Sequence, residues 1–395
     1  MLLQWAIPGS LVPVLSLHLE QSLGFGRIET AWCCATQAVG AVVSSLLAGQ
    51  VADRWVAAEK AMAVCAVLSG LSLFVLTEST KPLSVFLVTL FFWLVTGPML
   101  LMGTTVSFAN LADPRKQFGP IRMWGTVGWM ILGWVVTAWM RLSPSIWPGR
   151  TPPLSDAFRI GGVLALALAA YALTLPSTPP RPKSGDKVGR WLAPLHASRL
   201  LRGRAFFVYC LCLLGTCLTF PLTTQNTPLL LLQIGIPQTW IPMALTVAQT
   251  TEIALLAVLP LLLHHFGLRT MMSAGLVAWL VGLSILAVGH PTSLVLGSLL
   301  VNGIFITGFV IAGQIYVNGL AAEDLRASVQ GMLSCISGLG LIAGNLLAGG
   351  LREATGGNLP PTFAVGAGIT AVLLVLFLVG FRHGPDPPVR GARNV

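Results

Sequence analysis

Continuous apolar runs of about twenty residues, recurring from one end of the sequence to the other, constrain this chain more than any other feature. At about 1.5 Å of rise per residue, a helical run of that length matches the hydrocarbon thickness of a bilayer. The runs are continuous rather than alternating, which excludes a membrane barrel. Composition agrees: 55% of the 395 residues are hydrophobic and 9% are charged, against roughly a quarter charged in a soluble domain. Such a chain has too little polar surface to cover itself in water. The expected fold class is an all-α polytopic membrane protein.

Twelve runs are expected to span the membrane, near 2–19, 29–51, 60–77, 82–108, 118–140, 157–176, 205–230, 237–262, 268–288, 291–318, 327–349 and 361–381. A Pro-rich, basic break at 177–204 divides the chain into an N-terminal six-helix bundle (1–176) and a C-terminal one (205–383). A tail, 384–395, follows. The break holds seven basic residues, Arg181, Lys183, Lys187, Arg190, Arg199, Arg202 and Arg204. Clustering of this kind is what the positive-inside rule gives a cytoplasmic loop. With both termini inside, the cytoplasmic breaks also take Arg54, Lys60, Arg115, Lys116, Arg269, Arg326, Arg382, Arg390 and Arg393. The outer breaks take only Arg27, Lys81, Arg141, Arg150, Arg159 and Arg352. The net charge of +10 therefore follows membrane topology. No aromatic-interleaved basic groove accompanies it, so a nucleic-acid partner is excluded.

Six plus six helices about a basic loop is the architecture of secondary carriers built from repeated halves. The halves echo each other weakly, in the short turns "GQVADRW" (49–55) and "HHFGLRT" (264–270). The first run begins at Met1 with neither a basic leader nor a small-residue cleavage site, and is expected to be retained. Cys33, Cys34, Cys65, Cys210, Cys212, Cys217 and Cys335 all lie within apolar runs, where a thiol acts as a small hydrophobe. Neither disulfides nor a metal site are expected.

Thirteen acidic residues are present, and twelve fall in breaks or at their edges. The exception is Glu252, in "TTEIALLAVLPLLL" (250–263). It lies about ten residues from the cytoplasmic end of span 8, on the order of 15 Å deep. Desolvation disfavours the charged form of a carboxylate, and intramembrane acids commonly serve proton relays. An acid neutralised permanently by one neighbour, fastening helices together, is the alternative. Gln249 precedes Glu252 by three residues and shares its helix face. It would line the same wall, or act as interhelical glue.

A second constellation lies in "FGPIRMWGTVGWMILGW" (118–134). Pro120 suits a helix's first turn, which puts Arg122 just inside the cytoplasmic end. Thr126 and Trp129 follow at i+4 and i+7, stacking cation, hydroxyl and indole along one face. A guanidinium fork beside an aromatic wall suits a planar, hydrogen-bonding solute, although Arg122 could also snorkel to the headgroups. Asp53 and Arg54 sit at a helix exit, where they could gate the cytoplasmic side or remain solvated loop charges. The small residues of "GMLSCISGLGLIAGNLLAGG" (331–350) read as close helix packing. His18, His196, His264, His265, His290 and His383 lie near span ends or in the central loop and single out no site. There is no Ser–His–acid grouping, no metal-ligand spacing and no phosphate-cradling loop. The chain is not expected to be an enzyme.

In this order, "GQVADRW", "FGPIRMWGTVGW", "QTTEIALLAVLPLLLHHFGLRTMM" and "RASVQGM" (326–332) resemble the bacterial nucleoside–proton symporters of the major facilitator superfamily. The likeness runs from "LLQWAIPGS" (2–10) to the last span. "IR-x-WGT-x-G" and the "Q-x-x-E" of span 8 are its specific parts, and "ADRW" is general to the superfamily. The resemblance implies the major facilitator fold and a place in the bacterial inner membrane. In that family an arginine, threonine and aromatic of span 5, with a glutamine and glutamate of span 8, contact nucleoside or serve coupling. The matching positions are Arg122, Thr126, Trp129, Gln249 and Glu252. The fold would bring spans 5 and 8 face to face, with Arg122 and Glu252 within reach of each other. Where relatives carry amides in span 7, an ungapped match places Thr219 and Leu222. Where they carry aromatics and an acid in span 10, it places Asn302, Ile306 and Thr307. Thr219 and Asn302 are thereby added as solute contacts.

The expected function is proton-coupled import of nucleosides by alternating access. Glu252 would be the proton-coupling residue, and Arg122, Thr126, Trp129, Gln249, Glu252, Thr219 and Asn302 would bind solute. A major facilitator carrier for another small solute, or an exporter, could use the same acid. A non-transporting sensor on a carrier fold is the remaining alternative. The proton is the coupling ion, with no other cofactor and no metal. The partners are a nucleoside, protons and the lipid bilayer, and the chain is expected to be a monomer.

Overall fold

In hydrocarbon a backbone can satisfy its polar groups only within itself, and every regular element among the described residues is a helix. The computed structural model describes residues 1–54, 56–111, 114–146, 153–179, 203–320 and 326–381, with side chains 45–54, 114–116 and 326–328 left aside. Most of the basic loop 177–204 and the tail 384–395 lie outside these residues, as do the Asp53 and Arg54 side chains.

The N-terminal part consists of α1 (Leu2–Leu11), α2 (Leu15–Leu17), α3 (Arg27–Arg54), α4 (Ala58–Glu78), α5 (Pro82–Asn110), α6 (Pro114–Ile146) and α7 (Asp156–Ala172). A π turn, His18–Ser22, continues α2. The C-terminal part consists of α8 (Arg204–Thr224), α9 (Thr227–Gln233), α10 (Ile241–Leu245), α11 (Val247–Val288), α12 (Thr292–Phe305), α13 (Ala312–Leu320), α14 (Arg326–Ala354) and α15 (Pro360–Gly380). A second π turn, Ile306–Ile311, joins α12 to α13. Each of the twelve expected runs falls on helix.

Among the described residues, nine helical stretches are long and apolar enough to cross a bilayer. One of them, Gln238–Val288, has 51 residues, twice what one crossing needs. It is broken at Gly267, where φ 74° and ψ 163° define a region open essentially to glycine alone. Packing shows that the chain reverses there. Gly303 lies against Ala248, Thr251 and Glu252, while Gly308 lies against Met271 and Gly275. Those glycines are five residues apart, so the segments on either side of Gly267 run side by side. α7, at 17 residues, is shorter than the usual crossing.

Helices pack within each part: α3 on α5, α4 on α5 and α7, and α1 on α6 and α7 in the first; α11 on α12 and α15, and α8 on α14 and α15 in the second. Large apolar side chains remain on the outside. Leu83, Leu261 and Val372 are 69%, 70% and 68% exposed, as suits a surface that meets lipid.

The parts meet through α3 with α14, α6 with α10 and α11, and α2 with α9. Their described cross-links run from mid-depth towards the face away from the termini. Ser16 Oγ donates to the Gln225 carbonyl at 2.8 Å. Trp134 Nε1 donates to Thr246 Oγ1 at 3.0 Å, and the Met243 amide donates to Thr137 Oγ1 at 3.1 Å. At the far end Arg352 pairs with Glu20 through both guanidinium nitrogens, and Arg27 lies 3.5 Å from Glu353.

Candidate solute and proton site

Glu252 lies on the first half of α11, and two close approaches set its position. A Cβ at Gly303 would fall 2.5 Å from the Glu252 backbone nitrogen and 2.6 Å from the Ala248 carbonyl oxygen. A side chain at 303 would therefore push α12 off α11 at this level. From the other half, Thr126 Oγ1 donates to Glu252 Oε1 at 3.2 Å. That bond carries the acid to the boundary between the halves. Glu252 makes no ion pair within 4.0 Å among the described residues, so no salt bridge from them clamps it.

A cavity of about 300 Å³ opens beside the acid, at the lower end of small-molecule sites. Trp5, Gln37 and Trp129 line it from the N-terminal half. Glu252, Gln249, Asn302, Thr223, Thr224 and Thr227 line it from the C-terminal half. Phe220, Trp279 and Phe305 form an aromatic wall. The Trp279 ring stacks on Phe305 at 4.3 Å and on Phe220 at 5.9 Å between centroids. Val12, Gln37, Phe220 and Thr224 also border a pocket of about 80 Å³ on the cross-linked side. Phe220, Phe305 and Ile306 border one of about 330 Å³, lined by Gln314, Gln330, Ser334 and Ser337. Three spaces thus share walls along one path between the halves.

Of the residues singled out in the sequence, Trp129, Gln249, Glu252 and Asn302 line the cavity, and Thr126 reaches it through the carboxylate. The Gln249 amide turns back on its own helix, its nitrogen donating to the carbonyls of Leu245 and Thr246 at 3.2 and 3.0 Å. Arg122 is placed differently from expectation. Its guanidinium lies over the Trp5 ring, 4.1 Å from the centroid, and Trp5 forms the wall at that point. Arg122 and Glu252 lie within Coulombic range of each other.

Thr219 does not reach the cavity. It is fully buried, accepting from Trp279 Nε1 at 2.8 Å and donating to the Thr216 carbonyl at 3.1 Å. Trp279 occupies the space in front of it, so the wall begins one turn later, at Thr223 and Thr224. Sequence reading also passed over Trp5 and Gln37. A glutamine inside "CCATQAVG" (33–40) is a signal that could have found the second.

Against this geometry the comparisons with known proteins are decisive. The profile described as "Nucleoside H+ symporter" matches residues 1–386. The chain belongs to the nucleoside H+ symporter family. It is 28% identical over 408 residues to a putative nucleoside transporter, YegT, of Escherichia coli K12, covering 98% of this chain and 93% of that protein. It is likewise 28% identical to the xanthosine permease of the same organism, over 98% and 95% of the two chains. The crystal structure of the nucleoside transporter NupG superposes with a TM-score of 0.82 at 25% identity, over 97% of each chain. The human organic anion transporter MFSD10 shares the fold alone, with a TM-score of 0.63 at 16% identity over 95% and 96%. The fold is that of the major facilitator carriers. A family of permeases places the chain among membrane transporters rather than enzymes, and makes the proton its coupling ion.

Proposed function

We propose that this protein imports nucleosides together with protons across the bacterial inner membrane, with Glu252 as the proton site and the cavity it lines as the solute site. One observation carries the reading. The one acid within an apolar run lies in the seam between the halves, on the wall of a small-molecule cavity, held among the described residues by a single hydroxyl and by no cation. A carboxylate so placed can exchange its proton with whichever side the cavity faces. Coupling requires protonation and solute to favour each other's binding, a reciprocal free energy of about 1–3 kcal/mol.

Within the cavity, Trp129 stacks on the base, and Gln249, Asn302 and Glu252 offer hydrogen bonds. The aromatic wall of Phe220, Trp279 and Phe305 covers the apolar faces. Arg122 and Thr126 act at the carboxylate, and Thr219 supports Trp279 instead of meeting solute. Both termini face the cytoplasm, an orientation supported by the basic residues gathered on that side. The cross-links on the opposite face then close the outside, and the 330 Å³ space leads inwards. The units are the bundles 1–176 and 205–383, the loop 177–204 and the tail 384–395, working as a monomer with Asp53 and Arg54 at the cytoplasmic gate. The lipid bilayer is the remaining partner.

Uridine uptake into proteoliposomes under an inside-alkaline pH gradient tests the reading. The parent is expected to accumulate uridine above equilibrium. Glu252→Gln is expected to exchange uridine without accumulating it. Accumulation by the variant equal to the parent's would remove Glu252 from coupling.

A further inference from the structure

We propose that Trp5 is the positioning residue for proton coupling: its indole face holds the Arg122 guanidinium off the Glu252 carboxylate. The inference rests on the proton role given above to Glu252. It adds a residue on the first helix that acts on the acid only through Arg122.

Three features meet at this point. The Arg122 guanidinium lies 4.1 Å from the centroid of the Trp5 ring, within cation–π range, and tryptophan offers the strongest such face. The packing of α1 on α6 that permits this depends on Gly125. A Cβ there would fall 2.7 Å from Trp5 Cδ1 and 2.8 Å from an Arg122 terminal nitrogen. Arg122 is also one turn from Thr126, whose hydroxyl holds Glu252 at 3.2 Å. The guanidinium lies over an aromatic face and within Coulombic range of a carboxylate, two competing partners, and occupies the first.

The competition depends on the proton. With Glu252 protonated, the carboxyl offers Arg122 no charge and the indole keeps it. With Glu252 ionised, charge–charge attraction in a water-poor site draws the guanidinium across. Trp5 thus gives Arg122 a resting place that leaves the acid free to take a proton again. Without the ring, Arg122 would settle on the carboxylate, and an arginine at ion-pair distance holds a carboxylate in its charged form.

Other charged groups do not blur this reading. Among the described residues, α6 presents Arg122 to Glu252, and the Met1 amino group acts on Arg122 from the start of α1. α12 and the π turn beyond it present Asn302, Gly303 and Ile306, and α8 and α9 present Thr223, Thr224 and Thr227, all uncharged. On its own helix the nearest titratable side chains are His264 and His265, three turns away.

The test is the pH profile of uridine uptake by the full chain in proteoliposomes. Trp5→Leu is expected to move the outside pH of half-maximal uptake down by about one unit, because stronger acid is needed to protonate a paired carboxylate. Trp5→Phe keeps an aromatic face and is expected to return the midpoint towards the parent's. In an Arg122→Gln background, Trp5→Leu should cause no further shift. Gly125→Ala, which forces ring and guanidinium apart, is expected to reproduce the acid shift, and it keeps the test available if Trp5→Leu does not fold. Profiles that superimpose on the parent's after scaling would overturn the proposal, leaving Trp5 a wall. So would a shift that persists in Arg122→Gln, or Trp5→Phe behaving as Trp5→Leu. A parent with no pH-dependent uptake would instead remove the proton role of Glu252 itself.

Discussion

Neutralising Glu20 while leaving Arg352 in place is expected to unlock the face of the protein that its cross-links close. Arg352 is 4% exposed and the Glu20 side chain 12%, and the pair joins the last turn of the first span to the end of α14, 332 residues away in sequence. Both guanidinium terminal nitrogens are used, while Nε has no partner among the described residues. Glu20→Gln therefore strands a cation that cannot shed its proton where water does not reach it. Removing one partner of a buried pair costs about 3–5 kcal/mol, and here the cost falls only on the state in which the halves are closed at this end. At 1.4 kcal/mol per factor of ten, the closed state loses roughly a hundredfold to several thousandfold against one open outwards. The neighbouring Arg27–Glu353 pair, 31% and 61% exposed, cannot compensate, because exposed pairs contribute about 0–1 kcal/mol. Cys34 supplies the assay, since it lines the 80 Å³ pocket beneath the cross-links. With the other cysteines replaced by serine, the rate of labelling by a membrane-impermeant maleimide added outside reports opening of this face. Glu20→Gln should raise that rate by at least about a hundredfold. Glu20→Leu with Arg352→Met, which strands no charge, should stay within about tenfold of the parent. A rate unchanged in Glu20→Gln, or a double variant as fast as the single one, would refute the reasoning.

Two other substitutions follow from the packing. Trp129→Ala should raise the KM for uridine about tenfold with kcat within about twofold, since stacking contributes about 0.5–1.5 kcal/mol beyond area burial. Trp129→Phe should stay near the parent, and an unchanged KM in Trp129→Ala would place the base elsewhere. Buried Glu59 accepts from the Thr178 amide at 2.9 Å and from Ser177 Oγ at 3.2 Å, tying the segment after α7 to the start of α4. Glu59→Ala should lower the thermal unfolding midpoint by several degrees, because hydrogen bonds to charged groups contribute about 1.5–3 kcal/mol. A midpoint within about one degree of the parent's would show that the tie adds nothing.

The sequence made Glu252 legible because an acid in an apolar run has few reasons to be there, and Trp129, Gln249 and Asn302 share its cavity. What it hid were relations between helices. Glu20 and Arg352 each resemble loop charges at span ends, and only the fold brings them together out of water. Arg122 was readable as a cation on one face with Thr126 and Trp129. Its stacking on Trp5 depends on the missing side chain at Gly125, which no periodicity reveals. Thr219 was misplaced for a similar reason. An ungapped match fixes position along a helix but cannot see that Trp279 fills the space in front, moving the wall one turn on to Thr223. The all-helical, membrane-spanning character was legible from apolar length alone, and the reversal at Gly267 lies in the predicted turn 264–270.

The central claim is that one carboxylate carries the proton that travels with solute. The direct measurement is proton entry into proteoliposomes during uridine influx, read from a trapped pH-sensitive dye with no pH gradient imposed. The account predicts internal acidification on adding uridine outside, absent in Glu252→Gln although uridine still exchanges. Acidification by Glu252→Gln equal to the parent's at matched uridine influx would contradict it.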